Sequence, residues 1–137
     1  MSQENVEIVK RAVAAVNQRD IDGYLACCTE DVRLVTPVAD VAGAYDGPNG
    51  IRRFFTDIAD ASPDFKIGIE SLEAVGLDRV LGLMSITGTG RASGIPIENA
   101  TGNIYDLANG KIKRIRIFFD REQALEAAGV GDVGDAR

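Results

Sequence analysis

Histidine is absent from all 137 residues. Without imidazole there is no Ser-His or Cys-His nucleophile pair and no His-rich metal site. Any acid–base work falls to carboxylates, Tyr, Lys or water. Cysteine is scarce, with only the neighbours Cys27 and Cys28. Bridging adjacent residues would distort the backbone, so a disulfide framework is excluded and a reducing cytoplasm is the expected setting. Neither thiol has a cation beside it in the sequence, which makes buried packing the expectation for both. Positive charge is also short: 15 Lys and Arg stand against 21 Asp and Glu, a net charge of −6. A nucleic-acid surface needs the opposite balance. The basic residues Lys111, Lys113, Arg114 and Arg116 would divide between two faces of a strand, in a solvated or subunit-facing role. No uncharged apolar run approaches the roughly 18–20 residues of a membrane span. The opening Met1-Ser2-Gln3-Glu4-Asn5 lacks the basic and apolar regions of an export signal.

What is present reads as one globular domain. Apolar residues make up 45% and charged residues 26% of a chain long enough to bury a core. Val6, Val9, Val13 and Val16 form the inward stripe of a first helix over 3–19, with Ser2 as N-cap. Asp20 caps a short second helix carrying Ile21, Tyr24, Leu25 and Cys28, which Thr29-Glu30-Asp31 ends. A strand over 32–36 stops at Pro37. After a loop over 38–47, Pro48 opens the most clearly amphipathic helix, with Ile51, Phe54, Phe55 and Ile58 at i, i+3, i+4, i+7.

The remainder is strand-rich. Phe65, Ile67 and Ile69 alternate, and the phase slips near Ser71-Leu72, which predicts a bulge and a bend. A turn at Gly76–Arg79 leads to a long strand over 80–90, and Ala92–Pro96 turns again. Asn109-Gly110 then joins two alternating runs, over 99–107 and 111–119, the strongest short hairpin signal. Asp120 opens a last helix before Gly129, with Gln123 completing a capping box. The expected fold class is α+β: three N-terminal helices on the concave face of a strongly bent antiparallel sheet, then a short C-terminal helix. One domain over 1–130 and a frayed tail over 131–137 follow. The hollow of such a cone is a natural small-molecule pocket.

Several segments carry a family likeness. They are Asn17-Gln18-Arg19-Asp20-Ile21-Asp22, Glu30-Asp31-Val32, Gly47-Pro48-Asn49-Gly50-Ile51-Arg52-Arg53-Phe54-Phe55, Gly110-Lys111-Ile112, and Phe119 through Gly129. Together the chain resembles the nuclear transport factor 2-like superfamily, in particular its bacterial SnoaL-like (polyketide cyclase-like) group. The resemblance covers about residues 3–130. It implies the cone fold, and a functional range that includes isomerases, cyclases, epoxide hydrolases, dehydratases and members without known activity. Polyketide-cyclase relatives carry a His-x-Asp pair on the last strand, where alignment on Gly110-Lys111-Ile112 puts Ile115 and Ile117. Ketosteroid isomerase relatives carry an Asp before a proline after the first strand, where Thr36 stands. Their neutral carboxylic acid on the penultimate strand corresponds to Asn103, whose amide still donates.

The candidate site follows from these positions. Asn103 shares a strand face with Asn99, Thr101 and Tyr105, as a polar ligand contact in an apolar cone or as a structural hydrogen bond. Tyr24 reads as a phenolic donor at the pocket or a core aromatic with its hydroxyl at the rim. Tyr45 lies in the loop over the cone's mouth and is a lid candidate. Thr36 and Phe54 complete the ligand set, and Lys113, Ile115, Ile117 and Phe119 share the parity that the alignment aims inward. Asp40 and Asp46 are the carboxylates nearest the mouth, the latter also suited to a helix start. Arg91 is either an anion ligand at the rim or part of a solvated turn. The expected partner is a small hydrophobic molecule, with no cofactor, no metal, no nucleic acid and no membrane. A homodimer through the convex face, at Arg114, Arg116 and Phe118, would shield the uncovered side of the sheet.

Overall fold

The computed structural model describes residues 2–36 and 44–129. The elements run α1 (Ser2–Gln18), α2 (Ile21–Ala26), β1 (Cys28–Val35), β2 (Tyr45–Asp46) and α3 (Gly47–Ala61), then β3 (Lys66–Val75), β4 (Arg79–Thr89), β5 (Pro96–Ala108), β6 (Lys111–Phe118) and α4 (Arg121–Ala128). The expected tail over 131–137 and the loop over 38–43 lie outside the described residues.

Local chemistry explains most boundaries. Helix α1 takes Ser2 as its first helical residue instead of leaving it outside as a cap. The helix stops where Arg19 turns left-handed, at φ +60. There the Arg19 guanidinium donates to the carbonyls of Val16, Pro63 and Phe65, tying the helix end to the approach of β3. Asn17 completes the joint: its side chain accepts from Ile67 N–H at 2.8 Å and donates to Ile67 O at 2.9 Å, like one more strand residue. Asp20 caps α2 by accepting from Gly23 N–H. That helix ends at Ala26, earlier than expected, and Thr29-Glu30-Asp31 belong to β1. The reason is a strand contact: the Cys27 carbonyl accepts from Ile112 N–H at 2.8 Å and draws the chain alongside β6.

Strands β3 to β6 are antiparallel neighbours, as expected of residues 65–119. The full sheet, ordered β2-β1-β6-β5-β4-β3, is nevertheless mixed, because β1 pairs parallel to β6. Parallel neighbours need a long crossover, and everything between β1 and β6 supplies it. The β5–β6 hairpin turns on Asn109 (φ +53) and Gly110 (φ +77), the primed geometry that matches strand twist. The predicted bulge in β3 falls between Ile69 and Ser71. A second slip, between Asp106 and Leu107 opposite Arg114 and Ile112, leaves Lys113 unpaired. Lys113 is thereby exposed and lines an outer groove beside Arg114, so it does not share the inward parity of Ile115 and Ile117.

Two cores divide the sheet. On the inner face Val80, Met84, Tyr105, Leu107, Ile112 and Ile115 pack with Val9, Val13, Val16, Tyr24, Ile51 and Phe55 of the three N-terminal helices. On the outer face Leu81 and Ile104 meet Ala124 and Ala128 of α4. Asp120 caps that helix by accepting from the N–H groups of Glu122 and Gln123. Helix α4 sits so close to β5 that a Cβ on Gly102 would overlap the Cβ of Ala124. The molecule is thus an open α+β cone.

Candidate functional site

The amphipathic stripe of α3 faces the sheet, and near the distal ends of β4, β5 and β6 the two surfaces part. They leave an open hollow of about 310 Å3. Its wall is largely apolar, with Ile58, Phe65, Ile67, Ile86, Ile97 and Ile117 prominent. Phe54, Ile67, Asn103 and Ile117 also border a separate void of about 20 Å3 deeper in the core. The deeper space is one water across. These two volumes sort the expected ligand residues. Thr36, Tyr45 and Thr101 line the hollow, and Phe54, Asn103 and Ile117 stand between hollow and void. Tyr24, Tyr105 and Ile115 reach only the void.

Strand alternation builds the inner polar feature. Thr101, Asn103 and Tyr105 stack along one face of β5, all buried. The Thr101 hydroxyl donates to Asn103 Oδ1 at 3.0 Å, and Asn103 Nδ2 donates to the Tyr105 hydroxyl at 3.3 Å. Asn103 thus bonds its neighbours within β5 and borders the hollow. Burial pushes the Tyr105 phenol up to about 12, against the downward pull of the Asn103 bond. Burial, then the nearby Cys28, Tyr105 and Cys27, push Tyr24 well above its ordinary value. Both phenols stay neutral near pH 7.

A second polar feature sits at the mouth. The Tyr45 hydroxyl donates to Asp57 Oδ2 at 2.6 Å, and both residues line the hollow. Burial, then that bond, push the Tyr45 phenol up. Its ring lies edge-on to Phe54 and carries the Arg53 guanidinium 4.8 Å from its centroid. Asp57 is a residue that sequence reasoning missed. Its signal was the helix period, since Phe54, Asp57, Ile58 and Ala61 lie on one face of α3 and all line the hollow.

The other candidates have structural partners. Asp46 pairs with Arg33 at 2.8 Å across the β1–β2 edge and makes no side-chain cap on α3. Asp40 lies outside the described residues. Arg91 donates to the carbonyls of Asp60 and Ala59, closing the C-terminus of α3. Cys28 Sγ donates to Tyr24 O, and burial pushes its thiol up to about 12. Burial also raises Cys27, even though the fold brings Arg11 and Lys111 near it to pull the other way. Among the described residues no group of three or more His, Cys, Asp or Glu could hold a metal ion. No described helix is long and apolar enough to cross a membrane.

The residues matched by a model of the SnoaL-like domain are 9–115, and the chain belongs to that family. No protein of curated function matches it in sequence. Among solved structures, an NTF2-like protein of unknown function from Burkholderia pseudomallei superposes with a TM-score of 0.77 at 18% identity, covering 92% of this chain and 98% of its own. A putative SnoaL-like polyketide cyclase from a Jannaschia species gives 0.76 at 20% identity, covering 95% and 93%. A Mycobacterium tuberculosis protein in complex with estradiol-17beta-hemisuccinate gives 0.74 at 17% identity, covering 85% and 94%. Identities this low establish the shared NTF2-like fold and leave the chemistry to this chain's own residues.

Proposed function

We propose that the hollow binds a small, flat, largely apolar molecule through one carbonyl or hydroxyl oxygen held by Asn103. The observation that carries this reading is the coincidence of a dry wall with one amide at its inner end. Asn103 Nδ2 has two hydrogens and gives one to Tyr105, so a second N–H is left for a ligand. Burial of an apolar ligand contributes about 25 cal/mol per Å2, and one neutral hydrogen bond adds about 1 kcal/mol. A relative of the same fold bound to estradiol-17beta-hemisuccinate supports a hydrophobic occupant. Where chemistry follows binding, Asn103 polarises the bound oxygen, in the manner of an isomerase, cyclase or hydrolase.

The test uses ethylbenzene and acetophenone, which share a ring and differ by a carbonyl. Asn103→Leu should weaken acetophenone about fivefold and spare ethylbenzene. Equal binding of both ligands by variant and parent would make Asn103 purely structural. A second reading, a binding or scaffold protein without catalysis, is favoured by Ile115 and Ile117, which are apolar where relatives carry proton-moving groups. Protein-dependent deuterium exchange at the acetophenone methyl group separates the two, since binding without exchange leaves the second reading. We further propose a homodimer across the outer sheet face at Arg114, Arg116 and Phe118. A monomer by light scattering at micromolar concentration would remove this part.

A further inference from the structure

The two polar ends of the hollow have opposite hydrogen-bonding character. At the inner end, Asn103 Oδ1 accepts from the Thr101 hydroxyl, and the free capacity of the amide is an N–H. That end offers a donor. At the mouth, the Tyr45 hydrogen is held by the Asp57 carboxylate in a 2.6 Å bond, the short range of a charge-assisted contact. The phenolic oxygen then has only lone pairs to present, and the carboxylate has only acceptors. As a residue Tyr45 is buried, 6% exposed. Of the other polar groups on the wall, Ser62 is occupied, donating to Asp64 Oδ1 and accepting from Thr89 N–H, whereas Asn99 also lines the hollow and Thr36 Oγ1 is buried with no partner among the described residues.

From this polarity we infer that the Tyr45–Asp57 pair is a second recognition site, which selects a ligand bearing a neutral hydroxyl at the end opposite the oxygen bound by Asn103. The inference rests on the proposed use of the hollow and extends it to a ligand class: hydroxylated aromatic or alicyclic carbonyl compounds. A neutral donor is favoured over a cation because the mouth already carries a cation of its own, the Arg53 guanidinium 4.8 Å from the Tyr45 ring centroid. Size fits the same class. A volume of about 310 Å3 exceeds the roughly 150 Å3 of an apolar cavity that holds one benzene ring, which leaves room for a substituent at each end.

Four ligands on one ring test the site: ethylbenzene, acetophenone, 4-ethylphenol and 4-hydroxyacetophenone, titrated against the whole protein by calorimetry or NMR. The wild type should bind 4-hydroxyacetophenone about tenfold more tightly than acetophenone. The double variant Tyr45→Phe/Asp57→Ala removes both acceptors and should erase that advantage while leaving acetophenone within about twofold; Tyr45→Phe alone leaves the carboxylate and should only reduce it. Asp57→Ala does something different. It frees the Tyr45 hydrogen, so the mouth becomes a donor, and 4-methoxyacetophenone should gain on 4-hydroxyacetophenone. This second variant also keeps the test alive if Tyr45→Phe fails to fold. The second site is overturned if acetophenone binds and the added hydroxyl brings no gain. It is equally overturned if Tyr45→Phe weakens all four ligands alike, because the residue then acts through packing. Should neither ethylbenzene nor acetophenone bind the wild type, the hollow itself is not the site, and both proposals fall together.

Discussion

The two faces of β5 handle polar groups in opposite ways. Inward, Thr101, Asn103 and Tyr105 form a neutral ladder. Outward, Asp106 is an ionic hub: Arg79 Nε lies at 2.7 Å, Arg114 Nη2 at 2.9 Å and Arg116 Nη2 at 3.4 Å. The Asp106 side chain is 7% exposed, while its three arginines keep 23–45% exposure. Charge is affordable on the outer face because water still reaches the cations. Under three helices an ion would lose its hydration, so the inner face uses amide and hydroxyl groups. The outer hub has its carboxylate saturated, which makes it structural. The inner ladder leaves one Asn103 N–H over, the group that the proposed ligand would use.

The largest effect should come from breaking the outer hub. Asp106→Asn leaves three crowded guanidinium groups without their anion and should cost about 2–3 kcal/mol in chemical denaturation, discounted for the arginines' exposure. The same hub sets a pH dependence. Burial raises the Asp106 carboxyl, but bonds from Arg79 and Arg114 outweigh it and hold it below the usual carboxylate range. Its folded-state value therefore lies below its unfolded one. The contribution is complete above the unfolded value, near pH 4, and is lost as pH falls through the folded value. The urea midpoint should drop as pH falls below about 4, and Asp106→Asn should flatten that drop.

Next on the same face, Gly102→Ala pushes a methyl into Ala124 and should destabilise by about 2 kcal/mol. An unchanged melting temperature would mean that α4 lifts off without cost. On the inner face, Asn103→Leu strands the Thr101 hydroxyl without its acceptor and should cost about 1–2 kcal/mol. An outer loss larger than the inner one preserves the contrast between the faces; equal losses would erase it. The smallest effect belongs to Thr36→Val. Its Oγ1 is buried with no partner among the described residues, so removal should shift stability by no more than about 0.5 kcal/mol. A loss of ligand affinity in a variant that stable would show the hydroxyl bonding the occupant of the hollow.

How much of this was legible in the chain follows from the range of each cause. The α3 stripe, the β3 bulge, the Asn109-Gly110 hairpin and the Asp120 cap all arise within about ten residues, and periodicity or turn chemistry reports them. The shared face of Thr101, Asn103 and Tyr105 is of the same kind, a consequence of strand alternation alone. Folding added what depends on distant partners. The parallel pairing of β1 with β6 joins segments about eighty residues apart in the chain, and no local pattern encodes it. The row Arg79–Asp106–Arg114 exists because three strands align in register, with a bulge that turns Lys113 outward. The Tyr45–Asp57 bond sets a short strand against the middle of a helix. Division of the expected site into an open hollow and a small deeper void is also a packing outcome, because volume left between layers depends on every side chain that fills them.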